Sequence, residues 1–311
     1  MLAALAFFAV ACGGDEDGGA PPTTATQPSE RLSGTVEVDG SSTVFPISEA
    51  MAEEFGKEAR DVRVTVGVSG PGGGFKRFCS GETDINDASR PIRDSEAQAC
   101  GDAGVEWTEL KIAFDGLSVL VNPDNDFVDC LTVEELKRVW EPDSRMKSWN
   151  GVRPEFPDQH LSLYGPGTDS GTFDYFTEAI VGKEDASRSD YTASEDDNTL
   201  VQGVAGDKGA LGYFGFAYYE ENSDKLKLVA VDGGSGCVLP SAETIRNGTY
   251  APLSRPLFLY VKKAALQRPE VASFLRFYLE NASLLVEDVG YVPLPDADYQ
   301  EGLTALEEAN P

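Results

Sequence analysis

The chain has 311 residues, of which 41% are hydrophobic, with 25 Lys and Arg set against 53 Asp and Glu for a formal net charge of -28. The apolar share supports cores for two domains of ordinary size and excludes a wholly disordered chain. The acidic balance argues against nucleic acid and anionic lipid surfaces as partners, and it obliges any site for an anion to work against the field of its own protein.

Residues 1–12 read MLAALAFFAVAC. The apolar run from Leu2 to Ala11 is too short to span a bilayer as a mature helix and suits the core of a secretory signal. Its end, Ala9-Val10-Ala11-Cys12, resembles a bacterial lipoprotein signal, in which the cysteine becomes the lipidated first residue. Two features depart from that pattern: no Lys or Arg precedes the run, and Ala9 stands where Leu is usual. The alternative is a plain cleaved signal with an incidental cysteine. Residues 13–33, rich in Gly, Pro, Thr and acid, cannot bury a core and read as a solvated tether.

With Cys12 assigned to lipid, Cys79, Cys100, Cys130 and Cys237 remain. An even number in an exported chain points to disulfides, and three pairings exist. Cys79–Cys100 with Cys130–Cys237 is preferred because each bridge then stays inside one proposed domain. No CxxC spacing occurs and the single histidine is His160, so no metal site is expected.

Beyond the tether, GTVEVDG (34–40) alternates as a short strand. Val44, Ile47, Met51 and Phe55 then recur at spacings of three and four, which mark one helical face behind Ser and Thr caps. VRVTVGVSG (62–70) is a β-branched strand leading through a glycine loop into a helix. TDINDASRPI (83–92) reads as a short strand and turn, and LKIAFDGLSVLVNP (110–123) as a long crossing strand. In TVEELKRVW, Thr132 and Glu135 form a capping box. LSLYGPGTDSGTFDYFTEAI repeats strand, loop and helix, with Phe173, Phe176 and Ile180 inward. NTLVQGVAGDKGALGYFGFAYY reads as helix, glycine turn and aromatic strand. RPLFLYVKK (255–263) is a second crossing strand, and PEVASFLRFYLENAS (269–283) an amphipathic helix with Pro269 at its start. The acidic tail after Tyr291 reads as a last turn and helix. Strands alternating with helices define an α/β chain.

One device occurs three times: a strand, a Ser/Thr/Gly loop and a helix. The loops are GSSTV (40–44), SGPGGGF (69–75) and TDSGTF (168–173). A helix start leaves backbone N–H groups unpaired, and small residues let an anion approach them. Any one such loop is plain capping; three in one chain favour an anion site.

GSSTVFP, the glycine loop before FKRF, DASRPI and GTDSGTFDYF together resemble the phosphate-binding proteins of bacterial phosphate ABC transporters, in order, over about residues 34–295. The resemblance implies a type II periplasmic-binding-protein fold: two lobes, each a mixed, mostly parallel sheet flanked by helices. Lobe one would be 34–115 plus 257–311, and lobe two 116–256. It implies a site built from Ser42, Thr43 and the N–H of Val44 or Phe45; from backbone at Gly72 and Gly73, with Ser69 nearby; and from the Ser170 hydroxyl with the N–H groups of Gly171 and Thr172. It also implies inorganic phosphate and permease subunits as partners, a monomer, no cofactor, and an extracytoplasmic place held by the lipid anchor.

Two positions depart from the family pattern. Arg90 stands where an aspartate accepts the phosphate proton, and Pro166 where an arginine precedes the third loop. Arg90 is therefore expected to supply the cation, bidentate from the facing lobe; the alternative is a surface or interlobe salt bridge. Asp169 and Asp87 are the candidate proton acceptors. Other tetrahedral oxyanions, and a scavenger or sensor without a transport role, remain as alternatives. An enzyme is not expected: a nucleophilic Ser170 needs a base, His160 belongs to the opposite end of its strand, and no GxSxG occurs. The aromatic run 212–222 reads as core rather than as a sugar platform.

Overall fold

The computed structural model describes residues 31–168 and 170–309. The expected signal at 1–12 with Cys12, most of the tether, and Asp169 lie outside the described residues. Leu32–Pro311 forms one compact unit.

The β-branched and alternating segments of the sequence become strands. They are β1 (Ser33–Gly40), β2 (Asp61–Val68), β3 (Ile85–Ala88), β4 (Trp107–Val121), β5 (Cys130–Thr132) and β6 (Ser162–Gly165). Then come β7 (Thr192–Ala193), β8 (Ala210–Gly215), β9 (Lys227–Asp232), β10 (Cys237–Val238), β11 (Ser254–Lys262) and β12 (Val292–Pro293). The main path of the sheet runs β2-β1-β3-β11-β4-β8-β6-β7. β1 pairs in parallel with both β2 and β3, and β6 with both β7 and β8, as strand–helix–strand connections require. The crossing strands β4 and β11 run antiparallel to their neighbours, which makes the sheet mixed.

β4 divides the molecule. Its residues 107–116 pair with β11, and 117–121 with β8; residues 119–121 also pair with β9. The strand starts at Trp107, three residues before the sequence reading, because β11 extends far enough to pair it. Ten of its fifteen residues from Ile112 onward are buried, as a strand covered on both faces must be.

Helices pack where the periodicity places them. Phe45–Glu58 buries Ile47, Met51 and Phe55, and Phe55 meets Phe274 and Phe277 of helix Pro269–Asp288 at ring distances of 5.4 Å. Thr132 and Glu135 make the expected reciprocal capping box of helix Val133–Trp140. The helix after the third loop, Gly171–Phe176, buries Phe173 and Phe176 and passes into a π-helical turn, Thr177–Val181, that buries Ile180. Thr177 loosens the ladder there: its hydroxyl donates back to Phe173 O and Asp174 O. The aromatic run departs from its expected form. The strand stops at Gly215, and Phe216–Glu221 is a short helix in which Phe216 and Tyr219 meet at helical spacing.

Two disulfides are present, Cys79–Cys100 and Cys130–Cys237, the pairing that the domain argument prefers. The first ties helix Gly70–Cys79 to helix Asp94–Asp102. The second joins β5 to β10 across β9.

Candidate anion site between the loops

The first loop follows β1. Its turn uses its own donors: Val44 N and Phe45 N both donate to Ser41 O, and Thr43 N donates to Ser41 Oγ. The amides of Val44 and Phe45, expected to face a ligand, are thus committed within the turn, and Val44 is fully buried. The hydroxyls of Ser42 and Thr43 remain as the loop's outward groups. Tyr291 donates from its hydroxyl to Thr43 O at 2.7 Å and fixes the loop from behind.

The second loop opens helix Gly70–Cys79. Ser69 donates to Asp39 Oδ2 at 2.6 Å, and Arg77 pairs with the same carboxylate, so Ser69 is turned toward Asp39. Gly72 lines a cavity with the first loop. Gly73 serves packing: a Cβ there would stand 3.0 Å from the Cβ of Ser69.

The third loop presses against the first. A Cβ on Gly171 would lie 2.9 Å from Thr43 Cα and N, so only glycine permits this approach. Thr43 Oγ1 stands 3.5 Å from Gly171 O, at the edge of hydrogen-bond reach, and Ser42 donates to Asp174 Oδ2 at 3.0 Å. Ser170 caps its helix by accepting from Thr172 N at 3.2 Å.

Two cavities flank this contact. One, of about 420 Å³, is lined by Ser42, Thr43, Gly72, Arg90, Asp174 and Arg255, among others. The second, of about 450 Å³, contains Ser170, Gly171 and Thr172 with Asp115, Glu195 and Asp197. Ser42 lines both. The structure therefore brings together Ser42, Thr43, Gly72 and Arg90, sets Ser170–Thr172 on the adjoining side, and leaves Val44, Ser69 and Gly73 out of either lining.

The charged groups differ from the sequence reading. Arg90 is at the wall, but both oxygens of Glu96 hold its fork at 2.8 Å, and its Nη1 also donates to Pro91 O. This is a part-buried salt bridge within the expected lobe one, neither at the open surface nor between the lobes. Asp87 lies beneath the first loop rather than in the cavity; it is fully buried and accepts from Ser48 Oγ at 3.0 Å. Burial pushes its carboxyl up to about 8, opposed by the Ser48 bond and assisted by the charge of Asp39. Asp174 is the half-buried carboxylate of the first cavity. Its pKa is pushed up to about 6 by burial; the Ser42 bond opposes this, and the charges of Asp185 and Glu184 add to it. Asp174 was legible only as the acidic residue of GTFDYF, with nothing to show that it turns toward Ser42.

Arg255 was missed for a similar reason, since it reads as the flank of a strand. Its Nη2 donates to Thr43 Oγ1 at 2.8 Å, its Nε to Asp115 Oδ2 at 3.2 Å, and its guanidinium lies 3.6 Å from the centre of the Tyr175 ring. His160 lines a separate cavity with Met146 and Arg188, so it offers no base to Ser170.

Residues 25–282 match the family model described as a PBP superfamily domain. The chain is 54% identical over 282 residues to the protein SphX of Synechocystis, covering 90% of this chain and 84% of the relative. It is 43% identical over 277 residues to the phosphate-binding protein PstS of Staphylococcus saprophyticus, covering 88% and 85%. A solved structure, described as a possible phosphate binding protein from Planctomyces limnophilus, superposes with a TM-score of 0.86 at 50% identity and covers 89% of this chain and 99% of its own. The chain belongs to the PBP superfamily, the periplasmic-binding-protein fold, as a PstS-like member.

Proposed function

We propose that the chain captures inorganic phosphate between two lobes and delivers it to an ABC permease from an extracytoplasmic, lipid-anchored position, as a monomer. The observation that carries this reading is the meeting of two hydroxyls, Ser42 and Thr43, with the third loop and Asp174 across a cavity that also holds Arg255. PstS of Staphylococcus saprophyticus, at 43% identity, is named a phosphate-binding protein. The lobes are 34–115 with 257–311, and 116–256; the change of partners along β4 at 116/117 supports that division. The cradle is built around Ser42, Thr43 and Gly72 of lobe one at the first cavity, with Ser170, Gly171 and Thr172 of lobe two on the adjoining side, where Ser42 lines both cavities. Asp174 takes the role of proton acceptor, since it is ionised at neutral pH and lines the cavity, whereas Asp87 is neutral there and faces the core.

Calorimetric titration of residues 30–311 with phosphate, then sulfate, at two pH values tests this. Phosphate binding in the micromolar range or tighter, with sulfate far weaker, is expected. Binding of neither would end the phosphate reading. Delivery is tested separately, by phosphate uptake in cells with and without the chain; uptake that does not depend on it would leave a scavenger or sensor.

A further inference from the structure

Arg255 stands opposite Asp115 in the register of β11 and β4, one position from the Ser254–Gly116 pair where β4 changes partners. It contacts the first loop through Thr43 and the third-loop helix through Tyr175. We propose that Arg255 is the cation that meets the anion in the 420 Å³ cavity, and that it sets the Thr43 hydroxyl to donate there. The proposal rests on the phosphate reading above.

Three observations carry it. Arg255, Arg90 and Arg93 line the same cavity, but Arg93 is exposed to solvent and Glu96 occupies the Arg90 fork at both ends, the geometry that spends a guanidinium most completely. Asp115 takes Arg255 through a single bond at 3.2 Å, and Nη1 of Arg255 has no hydrogen-bond partner among the described residues. Its plane is fixed by the Tyr175 ring, itself held by a 2.7 Å bond from the Tyr175 hydroxyl to Pro252 O. A weakly hydrated, always charged, planar donor suits such a half-dry position. The second part follows from hydroxyl valence. Thr43 Oγ1 accepts from Arg255, so its proton is left to give. Here it has only Gly171 O at 3.5 Å, and an oxyanion is the better acceptor.

The test is calorimetric titration of the full chain with inorganic phosphate, comparing wild type with Arg255→Gln, Arg255→Lys and Asp115→Asn, each checked by thermal unfolding. Arg255→Gln should weaken binding about tenfold to hundredfold, the range for a lost charge-assisted hydrogen bond. Arg255→Lys, which keeps the charge, should lose clearly less. Asp115→Asn, which removes the competing carboxylate, should tighten binding. Equal losses in Arg255→Gln and Arg255→Lys, or weaker binding in Asp115→Asn, would assign Arg255 to packing and overturn the proposal. If Arg255→Gln does not fold, Asp115→Asn decides by the sign of its effect. Absence of phosphate binding by the wild type overturns the phosphate reading, and this inference with it.

Discussion

Protonation separates the carboxylates around the first loop into two kinds. Asp174, at about 6, is mostly ionised at neutral pH and can accept the proton of monohydrogen phosphate. Sulfate offers no proton and meets an unrelieved like charge. Asp174→Asn should therefore lower the phosphate-to-sulfate affinity ratio by at least about tenfold, the scale of one lost charge-assisted bond; an unchanged ratio in paired titrations removes Asp174 from this role. Asp87 behaves differently. Its folded pKa of about 8 lies above the ordinary value of 3.8, so between these values the native state holds a proton that the unfolded state has released. Stability of the wild type falls as pH rises through that window. Asp87→Asn keeps an acceptor for Ser48 and carries no such proton. Its stability relative to wild type should rise from about pH 4 to about pH 8 and level off above, as read by denaturant unfolding at a series of pH values. A constant difference would place the native Asp87 pKa within the ordinary range. Residues of this kind are hard to read in a sequence, because their chemistry comes from partners far along the chain. Ser42 and Asp174 are 132 positions apart, and Arg255 and Asp115 are 140.

At the level of elements, local pattern sufficed for most of the fold. Ile47, Met51 and Phe55 predicted a buried helical face and form one, and Thr132 with Glu135 predicted a capping box that is made. The run GYFGFAYYEEN misled because aromatic residues favour strands in isolation, whereas Phe216 and Tyr219 also satisfy helical spacing; tertiary packing chose the helix. The loops form where the pattern places them, but capping spends the amides of Val44, Phe45 and Thr172 on the turns themselves, which a sequence reading leaves free. The disulfides differ in what they constrain. Cys79–Cys100 closes a separation of 21 residues and Cys130–Cys237 one of 107. On chain entropy these contribute about 3.3 and about 4.8 kcal/mol. Replacing Cys130 and Cys237 by serine should thus destabilise the protein more than replacing Cys79 and Cys100, in equilibrium unfolding under non-reducing conditions. The reverse order would show that local packing around Phe75, Phe78 and Tyr260 outweighs loop length at the shorter bridge.

For the whole molecule, the formal charge of -28 sets a long-range field that disfavours the approach of any anion. The groups near the cavity do not reverse it, because Arg90 and Arg255 are paired with Glu96 and Asp115, and Arg93 shares the lining with Asp174, Glu178 and Glu184. Affinity must then come from short-range bonds in the closed cleft, where salt screens little, while the encounter happens in solvent, where salt screens well within a Debye length of about 8 Å at physiological ionic strength. The two stages should separate in a salt series. Raising salt with a monovalent chloride should speed phosphate association and change dissociation only slightly, so that affinity rises modestly with ionic strength. Stopped-flow measurement with a fluorophore near the cleft would give both rates. Association that slows with salt would mean that a local positive field at the cleft mouth, rather than the charge of the whole chain, governs how the anion arrives.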